Sequence, residues 1–364
     1  MSDLSKLSVV LPSLDPDEKL LTVINGLFEY GFTDIILVND GSKPENLHYF
    51  NEAAQMPGVH LLHHEVNRGK GAALKTAFTW FLENRPQNKG VVTVDGDNQH
   101  HPEDTRACAL RMLETGNIIL GCRDFTLDNV PARSKSGNQI TSFVFKVFVG
   151  MKLSDTQTGL RAIPTEYLSA INQVSGDRFE YETNMLLEMK RSGIPFEEVK
   201  IRTVYIEENK SSHFRAVQDS WRIYKLILAH FFKYTLSSCL SAVVDESLFT
   251  LLTWLFCDTL SGMLLVAIPV AGARIVSSLL NFFINRNLVF KSKTTVAKSL
   301  IRYISLAIPI ALAQFGLTYG LFQLLSIGGE QAILRGLIHA IVMTVLFFAS
   351  YTIQQRWVFT KKDK

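Results

Sequence analysis

The 364-residue chain is 47% hydrophobic with a net charge of +3, long enough for two domains. The charge is unevenly divided: residues 1–230 hold 25 basic and 29 acidic side chains, net −4, and residues 231–364 hold 12 and 5, net +7. The slightly acidic first part excludes a nucleic-acid binder by composition, and the apolar, charge-poor second part points to membrane spans, with four buried core helices of a soluble protein as the alternative.

In chain order, Leu7–Leu11, Ile35–Val38, Val59–His63, Val91–Val94 and Ile118–Gly121 read as strands, with amphipathic helices over 17–30, 70–84 and 102–115. That alternation predicts a parallel sheet covered by helices. Beyond residue 130 the pattern becomes helix (134–151), short strand (160–163), two helices (165–173, 181–192) and an extended segment (196–206). Residues 217–230 place Trp221, Arg222, Tyr224 and Lys225 at helical spacing, which suits a helix lying at headgroup depth. A plain connecting helix is the alternative. The polar start, Met1-Ser-Asp-Leu-Ser-Lys6, does not read as a signal peptide.

Four apolar runs follow, near 235–257, 263–284, 303–327 and 332–353, each about the 20 residues a bilayer crossing needs. The connections 258–262 and 328–331 contain no Lys or Arg, whereas 285–302 contains Arg286, Lys291, Lys293, Lys298 and Arg302. The tail adds Arg356, Lys361, Lys362 and Lys364. Positive residues stay cytoplasmic, so four spans place the N-terminal domain, the middle connection and the tail in the cytosol. Asn285-Arg-Asn-Leu-Val-Phe290 and Gln354-Gln-Arg-Trp-Val-Phe359 stand 69 residues apart, each after a span, which points to a duplicated hairpin. Asp245 and Glu246 fall mid-span and Arg274 falls in the next span. Charges there need partners, so an Asp245–Arg274 pair is expected. Arg335 and His339 suit an interface. The four cysteines show no metal spacing and read as free thiols.

The chemistry concentrates after the strands. Val91–Val94 ends in Asp95-Gly-Asp97-Asn-Gln99, an oxygen-only set suited to Mg²⁺ or Mn²⁺ at the edge where α/β sheets bind ligands. Such a metal commonly holds a diphosphate. Asp40, in Asn39-Asp40-Gly-Ser, is placed to accept hydrogen bonds from a base or ribose, although Asp-Gly is also an ordinary turn. Asn67-Arg68-Gly-Lys70-Gly opens a helix whose N-terminus, with Arg68 and Lys70, favours an anion. A simple helix start is the alternative.

Pro12, Asp40, Asn67–Gly71 and Asp95–Gln99, in that order, resemble the nucleotide-binding half of family 2 glycosyltransferases with the GT-A fold. Gly121-Cys-Arg123-Asp124-Phe, Val130-Pro-Ala-Arg133-Ser-Lys-Ser-Gly-Asn138, Asp155-Thr-Gln-Thr-Gly-Leu-Arg161 and Arg178-Phe-Glu180-Tyr-Glu182 narrow this to the polyprenyl-phosphate glycosyltransferases, including the dolichyl-phosphate mannose synthases. Ser211-Ser-His213-Phe-Arg215 resembles the bacterial members, and the spans with their repeated ends resemble the GtrA-like membrane domain. Two departures stand out. The expected Pro-x-Tyr-Asn-Glu reads Pro12-Ser-Leu-Asp15-Pro, so Asp15, or Asp17 with Glu18, takes the place of the usual acid. Neither membrane repeat carries the complete motif.

The resemblance implies a GT-A (Rossmann-like) α/β domain over 1–216, an amphipathic juxtamembrane segment over 217–234 and an all-α four-span domain over 235–364. It implies a UDP- or GDP-sugar held by Pro12, Asp15, Asp40, Arg68, Lys70, Asp95, Glu180 and Glu182. The metal falls to Asp95, Asp97 and Gln99. Polyprenyl phosphate, undecaprenyl or dolichyl, is expected at Arg123, Arg133, His213 and Arg215, with Asp97, Asp155, Arg123 and Arg133 catalytic. Two readings of Asp155 compete with a role at the sugar: an N-cap, or a partner of Arg161. One of Glu180 and Glu182 is alternatively a solvated helix residue. The implied activity is inverting transfer of a hexose-type sugar to the lipid at the cytosolic face of a membrane, in a bacterium the inner membrane. A homo-oligomer is compatible with it. A processive polysaccharide synthase and a lipid-linked-sugar flippase or assembly partner are the alternatives.

Overall fold

The computed structural model describes residues 4–127, 130–202, 216–261, 263–292, 294–326 and 331–360. It divides into two compact units, Met1–Leu226 and Ile227–Lys364.

In the first unit, β1 (Leu7–Ser13), β2 (Ile35–Asp40), β3 (Val59–His64), β4 (Gly90–Thr93), β5 (Ile118–Arg123), β6 (Arg161–Pro164) and β7 (Phe196–Ile201) form one sheet in the order β3-β2-β1-β4-β6-β5-β7. β1 is buried along its whole length, as expected of a central strand covered on both faces. The expected parallel sheet holds for β3-β2-β1-β4 and for β5 with β7. β6 departs from it, running antiparallel between β4 and β5. Its four residues are too short and too apolar to carry a direction in their pattern. One consequence matters for function. β1, β2, β4 and β5 all end on the same edge, and β6 starts there.

Helices α1 (Lys19–Glu29), α2 (Leu47–Ala54), α3 (Lys70–Asn84), α4 (Pro102–Thr115), α5 (Ala132–Val144), α6 (Thr165–Asn172) and α7 (Glu180–Ser192) complete the unit. The core joins β1, β2 and β4 to α1 and α4 through Leu7, Val9, Leu11, Ile24, Leu37, Val92 and Ala109. The eight-residue α2 was not legible in the sequence. The start of α4 is fixed locally. His101 caps it by accepting from the Glu103 N–H, Pro102 takes the first turn, and Gly116 ends it in a left-handed conformation.

The second unit is built on α8 (Ala216–Phe256, its first turns belonging to the first unit), α9 (Met263–Ile284), α10 (Val296–Leu324) and α11 (Ala332–Ile353). Four stretches are long and apolar enough to cross a membrane: Phe231–Phe256, Met263–Val289, Val296–Leu324 and Ile333–Val358. The second and fourth end in π-helical turns, Asn285–Val289 and Gln354–Val358, which are the two repeated motifs.

Residues 69 apart play equivalent parts here. Asn285 Nδ2 donates to Asn281 Oδ1 at 2.8 Å, and Gln354 Nε2 donates to the Ser350 hydroxyl at 3.0 Å. The Tyr303 hydroxyl donates to Asn281 at 3.2 Å, and the Tyr234 hydroxyl accepts from Gln354 at 3.2 Å. On the inferred axis, equivalents meet each other: Asn285 reaches Gln354 at 3.4 Å, and Phe290 stacks on Phe359 at 5.2 Å. The first helix of each hairpin thus bonds to the second helix of the other, the contact pattern of an internal two-fold. The expected Asp245–Arg274 pair is present at 3.1 Å. Arg335 lies over the Phe322 ring at 4.4 Å.

Candidate active site

The strand ends of the first unit surround a cavity of about 340 Å³ lined by Pro12, Ser13, Asp15, Asp40, Asn67, Gly69, Lys70, Asp95, Asp97, Arg178 and Phe179, among others. β1 delivers Pro12 and Ser13, β2 ends in Asp40, and the chain leaving β4 delivers Asp95 and Asp97. Asn98 then turns through a left-handed backbone (φ 62°), which asparagine tolerates, and the Gln99 N–H donates to Asp97 Oδ1 at 3.1 Å.

Asp95 is tightly framed. Lys70 Nζ lies 2.7 Å from one of its oxygens and also 3.0 Å from Glu182, so one ammonium bridges two carboxylates. His100 Nε2 approaches the other oxygen at 3.4 Å. A side chain on Gly159 would place its Cβ 2.3 Å from Asp95 Oδ2, so only glycine leaves Asp95 this seat. Burial pushes Asp95 up, but Lys70 and His100 more than reverse this and hold it well below the carboxylate range. Burial lowers Lys70, and Asp95 with Glu182 overcomes that, keeping it charged. Burial and then the Asp95 charge push Asp97 above its ordinary value.

Two carboxylates, one of them destabilised by the other, form an oxygen donor set that a divalent cation would relieve. The set therefore fits Mg²⁺ or Mn²⁺. Among the described residues no cluster of three or more His, Cys, Asp or Glu forms a closed metal site, so ligand oxygens would have to complete the coordination.

Both Asp40 oxygens serve its own chain. They accept from the N–H groups of Arg68 (3.0 Å) and Gly69 (2.8 Å), with His64 Nδ1 at 2.7 Å. Asp40 thereby holds the loop that precedes α3. Asp15 is held similarly, accepting from the Lys43 N–H at 2.8 Å in a left-handed conformation (φ 47°). Asp15 and Asp17 both line the cavity. Arg68 stands apart from these. It lines a separate hollow with Lys75, Trp80, Glu83 and Asp177 and is not among the residues around the first cavity. The next residue, Gly69, turns through a left-handed backbone (φ 102°) and lines the first cavity.

Glu180 uses one oxygen within the chain. Its Oε1 accepts from the N–H groups of Asp177 and Arg178, each at 3.3 Å, closing the turn before α7. Glu182, 8% exposed, grips Lys70 instead.

A second station lies at the end of β5. Asp155, with 0% exposure, binds Arg123 through two parallel bonds, Nε at 2.7 Å and Nη2 at 3.2 Å. Its Oδ1 also accepts from the Gln157 N–H at 3.0 Å. No helix starts at Asp155, and Arg161, although it feels the Asp155 charge, donates its hydrogen bonds elsewhere. The Arg161 guanidinium is buried and donates to the carbonyls of Thr158 (3.1 Å) and Glu182 (2.8 Å). It ties the segment 155–159, which runs from Arg123 to Asp95, to the first turn of α7.

Arg133 falls at the start of α5, but its side chain lies outside the described residues, as do His213 and Arg215 entirely. Lys225 and Trp221 are exposed, while the Tyr224 hydroxyl is engaged by Thr141 at 3.1 Å. Sequence reasoning missed Arg178, Phe179 and His100 as site residues. Arg178 stood in a quoted motif, whereas nothing in the spacing marked His100 as the neighbour of Asp95.

Residues 8–171 match the model for glycosyl transferase family 2, and residues 233–359 match that for the GtrA/DPMS transmembrane domain. An uncharacterized protein of Methanocaldococcus jannaschii is 30% identical over 229 residues, 62% of this chain and 92% of that protein. An undecaprenyl-phosphate mannosyltransferase of Micrococcus luteus is 26% identical over 209 residues, 56% of this chain and 85% of that protein. Among solved structures, glucosyl-3-phosphoglycerate synthase from Mycobacterium tuberculosis, in complex with Mn²⁺, UDP and glucosyl-3-phosphoglycerate, aligns with a TM-score of 0.47 at 15% identity, over 61% of this chain and 77% of that one.

Proposed function

The chain belongs to the family 2 glycosyltransferases with a GtrA/DPMS membrane domain, and on that premise we propose that it transfers a hexose-type sugar from a UDP- or GDP-sugar to polyprenyl phosphate. The observation that carries this reading is the pair of stations on one sheet edge. Asp95 and Asp97 follow β4, and Arg123, clamped by Asp155, closes β5. The likeness to the undecaprenyl-phosphate mannosyltransferase of Micrococcus luteus supports it. The basic connection after the second span and the uncharged outer connections support a cytosolic catalytic domain and termini, in a bacterium at the inner membrane.

In this mechanism the cavity holds the nucleotide, with Pro12, Asp15 and Asp40 at its β1–β2 side and Lys70 near the diphosphate. Asp95 and Asp97, with Gln99, would hold Mg²⁺ or Mn²⁺, which supplies Lewis-acid neutralisation of the departing diphosphate. The lipid phosphate is already an anion near neutral pH. Its oxygen attacks the anomeric carbon as the bond to the diphosphate oxygen breaks, so no strong general base is needed. Arg123, kept planar and oriented by Asp155, and Arg133 align that phosphate. Direct attack inverts the anomeric centre.

Asp97→Ala in the full-length protein tests this reading. It expects normal membrane insertion with sugar transfer reduced at least about 100-fold, the scale of losing a group that stabilises developing charge. Undiminished transfer would leave the soluble domain as a nucleotide-binding partner of a lipid-sugar transporter. Recovery of an α-linked lipid product from an α-linked donor would remove the inverting step.

A further inference from the structure

The spans carry charged side chains at mid-depth, of which Arg274 and Glu246 are exposed. Asp245 lies 14 residues from Phe231 and 11 from Phe256, and Arg274 lies 11 from Met263 and 15 from Val289. At 1.5 Å per residue each is at least about 16 Å along its helix from either end of its span. Snorkelling cannot cover that distance.

Asp245 is satisfied within the chain. It accepts from Arg274 Nη2 at 3.1 Å and from the Ser277 hydroxyl at 2.7 Å. Arg274 is not covered by this contact, because its side chain remains 71% exposed. Glu246, one residue from Asp245, is exposed too and forms no ion pair among the described residues. Large apolar groups on the same two helices, Val243, Leu251 and Ile275, are exposed as well. Charged side chains facing acyl chains at this depth are disfavoured, and such groups turn to protein or water instead.

We propose that this face is the interface of a homodimer within the membrane, in which Arg274 of one copy meets Glu246 of the other, and reciprocally. A two-fold axis along the membrane normal keeps equal depths opposite each other. Arg274 and Glu246 share a depth, because Arg274 already reaches Asp245 beside Glu246. The patch carries both signs, so it is complementary to itself, as a two-fold contact requires. The guanidinium has five N–H donors and can serve Asp245 within the chain and Glu246 across the interface at once. An anionic lipid phosphate fits less well, because the single arginine is accompanied by two carboxylates, its partner Asp245 and the adjacent Glu246.

The test uses the full-length protein, with two differently tagged copies co-expressed and reconstituted in nanodiscs, read by co-purification and native mass spectrometry. Wild type should co-purify as dimers. Glu246→Gln, which leaves the Asp245–Arg274 pair intact, should weaken the dimer at least about tenfold. Glu246→Lys should abolish it, and Arg274→Gln should behave likewise. Circular dichroism confirms that each variant is folded. A monomeric wild type, or a dimer that folded Glu246→Gln and Glu246→Lys variants leave unchanged, overturns the proposal. So does a monomer that retains anionic lipid in wild type and loses it in Arg274→Gln, which would assign the face to a lipid headgroup. None of these outcomes depends on sugar transfer, so failure here leaves the catalytic reading untouched.

Discussion

Both oxygens of Asp155 are taken within the chain, and the guanidinium they clamp is the group expected to face the acceptor phosphate. On the proposed mechanism, Asp155 acts through Arg123. Asp155→Asn should raise KM for the lipid phosphate and lower kcat/KM by about 100-fold, equivalent to about 2.7 kcal/mol. Affinity for the nucleotide-sugar should stay the same. Removing one partner of a buried pair should also cost about 3 kcal/mol of stability. A fall in donor affinity alone would return Asp155 to the sugar. Gly159→Ala should displace Asp95, whose oxygen would stand 2.3 Å from the new Cβ. Transfer should drop at least about tenfold while far-UV circular dichroism stays native. Burial, with the Asp104 charge behind it, pushes the Cys108 thiol from 9.0 up to about 12. Its folded value lies above the unfolded one, so its contribution to stability is complete below pH 9 and falls as pH rises from there toward 12. Iodoacetamide at pH 8 should leave Cys108 unmodified in the folded protein, and denaturation at pH 10 should need less denaturant than at pH 7.5. At this scale the sequence marked the right residue types but not their partners. Glu180 and Glu182 look equivalent in the chain, and only the turn before α7 and the reach of Lys70 separate them.

Elements were far more legible than contacts. The starts of α3 and α4 follow from local chemistry, Gly69-Lys70 and His101-Pro102, and the structure places them where the sequence does. What failed was direction and neighbourhood: β6 runs antiparallel because of where α5 and the 150–160 segment deliver it, which no local pattern encodes. The duplicated hairpin was legible as a 69-residue repeat, and the structure gives it a physical basis in matched hydrogen bonds. Tyr234 and Tyr303 stand in equivalent places, each bonding to the second helix of the other hairpin. Tyr234→Phe and Tyr303→Phe should therefore cost similar amounts, about 1 kcal/mol each, in thermal unfolding of the detergent-solubilised protein. A large loss from one and none from the other would contradict the equivalence.

For the whole molecule, charge asymmetry and four apolar runs already separated a ligand-binding α/β unit from a membrane unit. The family matches cover the two separately, residues 8–171 and 233–359. The donor sugar was not legible, because the cavity lining, which includes Arg178 and Phe179, is assembled by the fold and not by spacing. The central claim is that the two stations on one sheet edge join a nucleotide-sugar to a lipid phosphate. It is tested most directly by incubating the purified protein in lipid with a panel of radiolabelled UDP- and GDP-sugars, Mg²⁺ or Mn²⁺, and undecaprenyl or dolichyl phosphate, then counting label in the organic phase. The account predicts that at least one donor gives an acid-labile lipid-linked sugar that requires both the lipid phosphate and an intact Arg123. Release of free sugar from the nucleotide with no labelled lipid from any donor would contradict it.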